Sequence, residues 1–310
     1  VVFDRSQRGK ILMQGADAAR FLHNLSTNDI LHLAVGSGCE AFLTTLKARV
    51  VAYLLVYHLP GPQLWLDVAP GMAAKVIEHL DHYLISEQVE LTDSTAALAQ
   101  LHVAGPKAPA VLGELFGDAV AALTSLQVVL AAGPVGEGQV RRQDGLGIPG
   151  YDVLWPIEHT PALIDALVAR QVQLAGEPVF EALRIEAGTP AWGLDIDENT
   201  FAPEVGRTPQ AICYTKGCFL GQEPIVMARD RGHINRMLRR IRLPAGPVPH
   251  NSPLLQDGKE VGRVTSSADI PGKEGAVGLA YVRRGVPESG PPMEVAVEGQ
   301  RRPAILVGIE

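Results

Sequence analysis

From Arg236 to the end of the sequence no stretch carries the 3.6-residue spacing of an amphipathic helix. Short apolar runs broken by Gly and Pro recur instead, at residues 237–243, 261–265, 276–282 and 293–297. Strands this short bury their faces only by closing on one another, so residues 236–310 are expected to form a small antiparallel β-barrel as a separate C-terminal domain.

Upstream, the texture is strand followed by helix. Apolar runs at residues 41–46, 50–59 and 63–68 read as strands, with a turn at Pro60-Gly61-Pro62. Ala73, Val76, Ile77, Leu80 and Leu84 then recur at helical spacing, with Pro70 suited to the first turn. A similar unit follows at residues 151–154, with Thr160-Pro161 as N-cap and first-turn pair before Leu163, Ile164 and Leu167, so the two halves are read as distant duplicates. Further strands are expected at 89–91 and 98–104, and helices at 107–116 and 178–186. The fold class is mixed α+β.

The length of 310 residues exceeds what one core usually serves. Apolar residues make up 46% and charged residues 20%, which excludes a disordered chain. A net charge of −7 argues against nucleic-acid binding through a broad basic face. The longest apolar stretch, 119–132, is interrupted by Thr124, Ser125 and Gln127 and is too short to span a membrane. The first residues lack the basic and apolar blocks of a signal peptide, and with only Cys39, Cys213 and Cys218 there is no disulfide framework; a cytoplasmic protein is expected. No further Cys or close His pair completes a ligand set around Cys213 and Cys218, so no bound metal is expected.

The segment Tyr214-Thr215-Lys216-Gly217-Cys218-Phe219-Leu220-Gly221-Gln222-Glu223 compresses a cation, a thiol, two glycines, an amide and a carboxylate into ten residues. Lys216, two residues from Cys218, would favour its thiolate, and Gly217 and Gly221 would let backbone amides face a ligand. The alternative is a structural cysteine in a glycine-rich turn. Downstream, Arg229, Arg231, Arg236, Arg239, Arg240 and Arg242 accompany one carboxylate, Asp230. That concentration suits an anionic ligand, or else an exposed basic strand.

The string KGCFLGQE followed by VMARDRGHINRML resembles the signature of the YgfZ-type folate-binding branch of the glycine-cleavage T-protein superfamily. Supporting similarity lies in GADAARFLHNLSTNDI, ALRIEAGTPAWGLDID, APEVG, VGRVTSSAD and GLAYV. The resemblance implies a ring of three domains around a tetrahydrofolate site, two of them mixed α+β (ferredoxin-like) and the third the barrel. The corresponding division is residues 1–38 with 139–235 as a discontinuous folate-binding domain, 39–138 as a second α+β domain, and 236–310. It also implies an accessory role in assembly or repair of iron-sulfur enzymes, including those that thiolate tRNA, with Cys218 and Lys216 at the family's key positions and iron-sulfur client enzymes as partners. A folate offers carboxylates for Arg229, pterin donors for a carboxylate at Glu186, Glu204 or Glu223, and a flat face for Tyr151 or Trp192. Gly217, Gly221, Gln222 and Glu223 complete the motif.

The related aminomethyltransferases carry an Asp pair after a Lys-Gly-Gly-like turn. Here the run Lys47-Ala48-Arg49-Val50-Val51-Ala52-Tyr53 puts Ala52 and Tyr53 at those positions, and Gly147-Ile148-Pro149-Gly150 replaces an acidic turn. The expectation is therefore a tetrahydrofolate-binding accessory protein; a folate-dependent one-carbon transferase or demethylase is the alternative.

Overall fold

The computed structural model describes residues 1–232, 234–287 and 292–307. His233 of the quoted string, and residues 288–291 and 308–310 of the expected barrel domain, lie outside the described residues. The chain divides into two compact units. The first gathers Val1–Thr45, Val51–Gly176 and Pro209–Leu220; the second gathers Leu46–Val50, Glu177–Thr208 and the chain from Gly221 onward.

The first unit contains two five-stranded sheets built on one plan. In one, the strands run in the order Gly38–Thr44, Val50–Leu59, Gln63–Val68, Gly9–Gln14, Glu90–Asp93; in the other, Val128–Ala132, Glu137–Arg142, Gly150–Pro156, Leu98–Ala104, Val2–Asp4. Ile11 stands opposite Leu66 and Asp93, and Leu101 opposite Val153 and Asp4. Each of these strands leaves through a glycine with φ of +132°, Gly15 or Gly105, into the helix Ala18–Leu25 or Ala108–Phe116. At Gly15 any Cβ would lie 2.0 Å from the Gln88 carbonyl oxygen, so both backbone angle and space demand glycine. The common order and connection make the duplication read from the sequence a property of the whole sheet.

The helix Ala18–Leu25 buries Ala18, Phe21, Leu22 and Leu25, the i, i+3, i+4, i+7 face that an amphipathic helix turns to a sheet. Leu55, Tyr57, Leu59 and Trp65 of one sheet pack with Val128 and Leu154 of the other. Arg141 is buried there, its guanidinium 4.6 Å from the Tyr57 ring centroid and 3.7 Å from the Asp67 carboxylate. Asp67 also accepts from Arg8 and, at 2.8 Å, from the Gln100 amide, so the buried charge is bonded on several sides.

The expected line between residues 138 and 139 is not a domain boundary. It falls inside the strand Glu137–Arg142, which pairs with Val128–Ala132 in one hairpin, Val140 opposite Val129. Local boundaries also shift. The helix after Pro70 is Ala73–Asp81, and Thr160 is the first residue of the helix Thr160–Val168 rather than its cap, its hydroxyl turned back to the Ile157 carbonyl at 2.7 Å.

The second unit holds the closed six-stranded barrel, in the order Arg236–Leu243, Ala276–Arg283, Lys259–Asp269, Pro253–Gln256, Met293–Val297, Gln300–Leu306, with Ile241 opposite Leu306 at the closure. Closure removes the unpaired edges that strands of this length would otherwise expose. Ile241, Leu254, Val264 and Val295 fill its interior. Pro253–Gln256 and Gln300–Leu306 are strands that the sequence pattern did not reveal, because proline and paired arginines dilute their alternation.

The helix Glu177–Ala187 is fixed to the barrel by a buried charge network. Arg184 donates to Asp195 at 2.7 Å and to Ser266 at 3.0 Å, and Ser266 donates to the other Asp195 oxygen at 2.7 Å. The Ala191 N–H and the Tyr281 hydroxyl reach the Asp195 side chain and carbonyl at 2.9 and 2.8 Å. This holds the turn carrying Trp192. Among the described residues no helix is long and apolar enough to cross a membrane.

Candidate functional site

The segment that precedes Gly221 is sewn onto the loop that follows the helix Ala18–Leu25. The last carbonyls of any helix lack intrahelical partners. Here Lys216 meets one of them: its buried ammonium donates to the carbonyl of His23 and, just beyond the helix, to those of Ser26 and Asn28, both at 2.8 Å, and lies 5.0 Å from the Phe219 ring centroid. Thr27 accepts the Phe42 N–H at 2.9 Å and donates to the Ala211 carbonyl at 2.6 Å. The Asn28 amide bridges the carbonyls of Glu40 and Gln210, at 2.7 and 2.8 Å. Beyond the motif cysteine, the Leu220 N–H donates to Asn24 at 2.9 Å and the Leu220 carbonyl accepts the Thr44 hydroxyl at 2.7 Å.

Between those ties Gly217 and Cys218 are exposed, while Lys216 and Phe219 on either side are buried. The loop is thus a rigid mount for an outward thiol. Lys216 does not take the role expected of it, because all three of its donors are engaged by carbonyls. Burial pushes its pKa down to about 8, and the charges that oppose the shift are Asp29, Cys213 and Cys39, not Cys218. The thiol with electrostatic support is Cys213. Burial pushes it up, but the Thr215 hydroxyl, 3.4 Å from Sγ, and the N–H groups of Thr215 and Lys216 outweigh that and hold it below the ordinary thiol value. Burial, with Glu40 beside it, pushes Cys39 up to about 12.

The two motif glycines differ. Gly221 adopts φ of +82° at the start of the helix Gln222–Arg231, where only glycine is unstrained. Gly217 is outside the left-handed region, and a Cβ there would meet nothing within 4 Å. Gln222 and Glu223 occupy the first helical turn, Gln222 half-buried and Glu223 exposed, where a carboxylate favours the helix dipole.

The residues assigned to a folate separate sharply. Tyr151 is removed from that role: its ring is fully buried in the core of the second sheet, Arg142 lies 4.8 Å over it, and its hydroxyl accepts from the same arginine at 2.8 Å. Glu186, Trp192, Glu204 and Arg229 all belong to the second unit. Trp192 is half-buried, in the turn that Asp195 pins. Glu204 is buried and accepts the Arg236 Nε at 2.9 Å; Glu186 pairs with Lys273; Arg229 is exposed and donates to Asp230 at 2.6 Å.

Ala52 is buried, and the Tyr53 hydroxyl donates to the Glu40 carboxylate at 2.7 Å. Glu40, nearly fully buried, is thus a carboxylate delivered by the neighbouring strand beside a position where the sequence lacks one. Ala48 holds φ of +54°, the strained conformation that glycine takes without cost. The turn at 147–150 is organised by Asp144, whose carboxylate accepts the Gly150 N–H at 3.0 Å and the Arg142 Nε at 2.6 Å. Thr27, Asn28 and Glu40 were not singled out from the sequence; the polar run Ser26-Thr27-Asn28-Asp29 directly after an apolar helix was the available signal.

Residues 1–208 match the GCVT N-terminal domain family, and residues 236–308 match the glycine cleavage T-protein C-terminal barrel domain. A chloroplastic protein of Arabidopsis thaliana, named for a transferase role, is 29% identical over 92% of this chain, which spans 65% of that relative's length. The aminomethyltransferase of Frankia alni is 32% identical over 99% of this chain and 84% of its own length. The crystal structure of the glycine cleavage system aminomethyltransferase T from Bartonella henselae superposes with a TM-score of 0.89 at 22% identity, covering 99% of this chain and 85% of that one, and so shares the fold. Two family domains in order, on this double-sheet and barrel architecture, make the chain a member of the glycine cleavage T-protein family.

Proposed function

We propose that this chain is a tetrahydrofolate-binding protein of the YgfZ-type branch, acting in the cytoplasm as an accessory to assembly or repair of iron-sulfur enzymes, including those that thiolate tRNA. The observation that carries the reading is the mounting of Cys218, an exposed thiol between the buried anchors Lys216 and Phe219. A scaffold turn has no need to hold a thiol outward so firmly. Trp192, Glu186, Glu204 and Arg229 suit a pterin with an anionic tail: a half-buried indole, two carboxylates and an exposed guanidinium. A bound tetrahydrofolate would supply a one-carbon acceptor.

Calorimetry with tetrahydrofolate tests the ligand. Saturable binding that Trp192→Ala weakens and Tyr151→Phe leaves unchanged is the expected result; no heat and no melting shift at millimolar folate would remove the folate half of the reading.

A second reading, a folate-dependent one-carbon transferase, draws support from relatives named aminomethyltransferase and from Glu40 beside Tyr53. Against it stands Tyr53 itself, which offers a phenol where those enzymes carry an acid. Folate-dependent methylene or formaldehyde transfer with no client protein present would favour this second reading.

A further inference from the structure

Within the first unit, the layer between the two sheets is polar where a sheet sandwich is ordinarily apolar. Tyr57 and Trp65 stand directly opposite each other on the neighbouring strands Val50–Leu59 and Gln63–Val68 of one sheet. From the other sheet the Arg141 guanidinium lies over both rings, 4.6 Å from the Tyr57 centroid and 5.0 Å from that of Trp65. All three side chains are buried. Their hydrogen-bonding groups are orphaned: the Tyr57 hydroxyl, the Trp65 Nε1–H and the Arg141 Nε and Nη1 have no partner among the described residues. Buried donors left so are rare and call for a partner.

The charges of this layer are also uneven. Asp67 is engaged by Arg8 and by the Gln100 amide, and its approach to Arg141, at 3.7 Å, is too long for a hydrogen bond. Asp152, opposite Arg141 in the register, is bonded to His102 at 2.8 Å. Three cations, Arg8, Lys10 and Arg141, thus share two carboxylates, Asp67 and Asp152. Burial pulls the Arg8 value down, but Asp67 outweighs it and holds the value above the ordinary one; at Arg141 burial prevails. Arg141 is therefore the cation whose charge the layer does not balance.

We propose that this layer is a binding site for a small monovalent anion, chloride, held by the Tyr57 hydroxyl, the Trp65 indole N–H and the Arg141 guanidinium. The inference is independent of the tetrahydrofolate reading. The Gln100 Oε1, orphaned likewise, has two lone pairs for four donor atoms. Water added to serve the rest brings protons that themselves need acceptors, and leaves the charge as it was. A halide accepts every donor, places no proton and neutralises the guanidinium. It joins the two sheets through residues of both, so the first unit should hold together more firmly with the anion bound.

The experiment melts the full chain, refolded from denaturant in potassium gluconate and titrated with potassium chloride at constant total salt. Screening then stays fixed while a bulky anion is exchanged for a small one. The melting temperature should rise saturably, by at least about 3 °C at a hundredfold excess over the half-effect concentration. Tyr57→Phe and Trp65→Phe each remove one donor and should raise that concentration about tenfold or more, the equivalent of one hydrogen bond to a charged group. Arg141→Met should abolish the response; if it does not fold, the two milder variants decide. A crystal grown in bromide supplies a second readout that needs no variant: an anomalous peak within hydrogen-bonding distance of Arg141 Nη1 and Trp65 Nε1 is expected. Melting indifferent to chloride, or a chloride effect that both phenylalanine variants leave unchanged, overturns the proposal. Ordered water between the sheets in bromide-grown crystals overturns it as well and makes the layer a hydrated one.

Discussion

The ammonium of Lys216 sits 2.8 Å from the carbonyl of Asn28 and makes the same bond to Ser26 and His23, so one side chain closes a helix end 190 residues earlier in the chain. The lysine of the motif is a fastener for the loop, and the cysteine is what the loop displays.

Replacing Lys216 by Met should therefore cost stability. Three carbonyls, those of His23 and Ser26 buried and that of Asn28 half-buried, lose their donor, and the expected loss is about 2–3 kcal/mol, read by chemical denaturation at pH 7. The pH dependence has a definite sign. The folded-state value near 8 lies below the ordinary 10.5, so between these values the unfolded chain binds the proton more, and stability rises with pH through that window. The gap between the native chain and Lys216→Met should widen from pH 8 to pH 10.5. A gap that narrows contradicts the lowered value, and a variant as stable as the native chain contradicts the fastener role.

The three thiols should label in an order set by their surroundings. Near neutral pH iodoacetamide should reach Cys218 through exposure and Cys213 through its lowered pKa, while Cys39 stays inert. Thr215→Val should slow labelling of Cys213 and leave Cys218 unchanged, with mass spectrometry of the digests as readout. Rapid labelling of Cys39 in the folded chain would show that this electrostatic picture is wrong.

The two motif glycines offer a clean contrast. Gly221→Ala forces a side chain into the left-handed region and should destabilise by roughly 1 kcal/mol or more. Gly217→Ala meets neither strain nor contact and should leave the melting temperature within about 1 °C, as expected for a change well below 1 kcal/mol. If Gly217→Ala melts as low as Gly221→Ala, the backbone assignment at residue 217 is wrong.

The duplicated strand–helix unit and the barrel were legible in the sequence because their signals are local: helical spacing in residues 73–84, and short strands broken by Gly and Pro after Arg236. The boundary at 138/139 was not legible, because hairpin pairing between Val129 and Val140 leaves no mark in composition. At the site, sequence adjacency misled. Lys216 and Cys218 are two residues apart, yet the ammonium turns inward and the thiol outward. Tyr151 failed as a ligand residue for a related reason, since an aromatic in a strand whose both faces are covered reads the same as one at a pocket rim. Glu40 and Tyr53 meet only through the pairing of neighbouring strands, which a single sequence does not display.

On the proposed function the thiol of Cys218 carries the chemistry and the rest of the loop positions it. The most direct measurement is the activity of an iron-sulfur enzyme that thiolates tRNA, in cells lacking the native protein and supplied with Cys218→Ser. Oxygen replaces an exposed sulfur, so folding and tetrahydrofolate binding should match the native chain in vitro. The expected result is that this variant fails to restore the enzyme while Cys213→Ser restores it; full rescue by Cys218→Ser would overturn the role of its thiol.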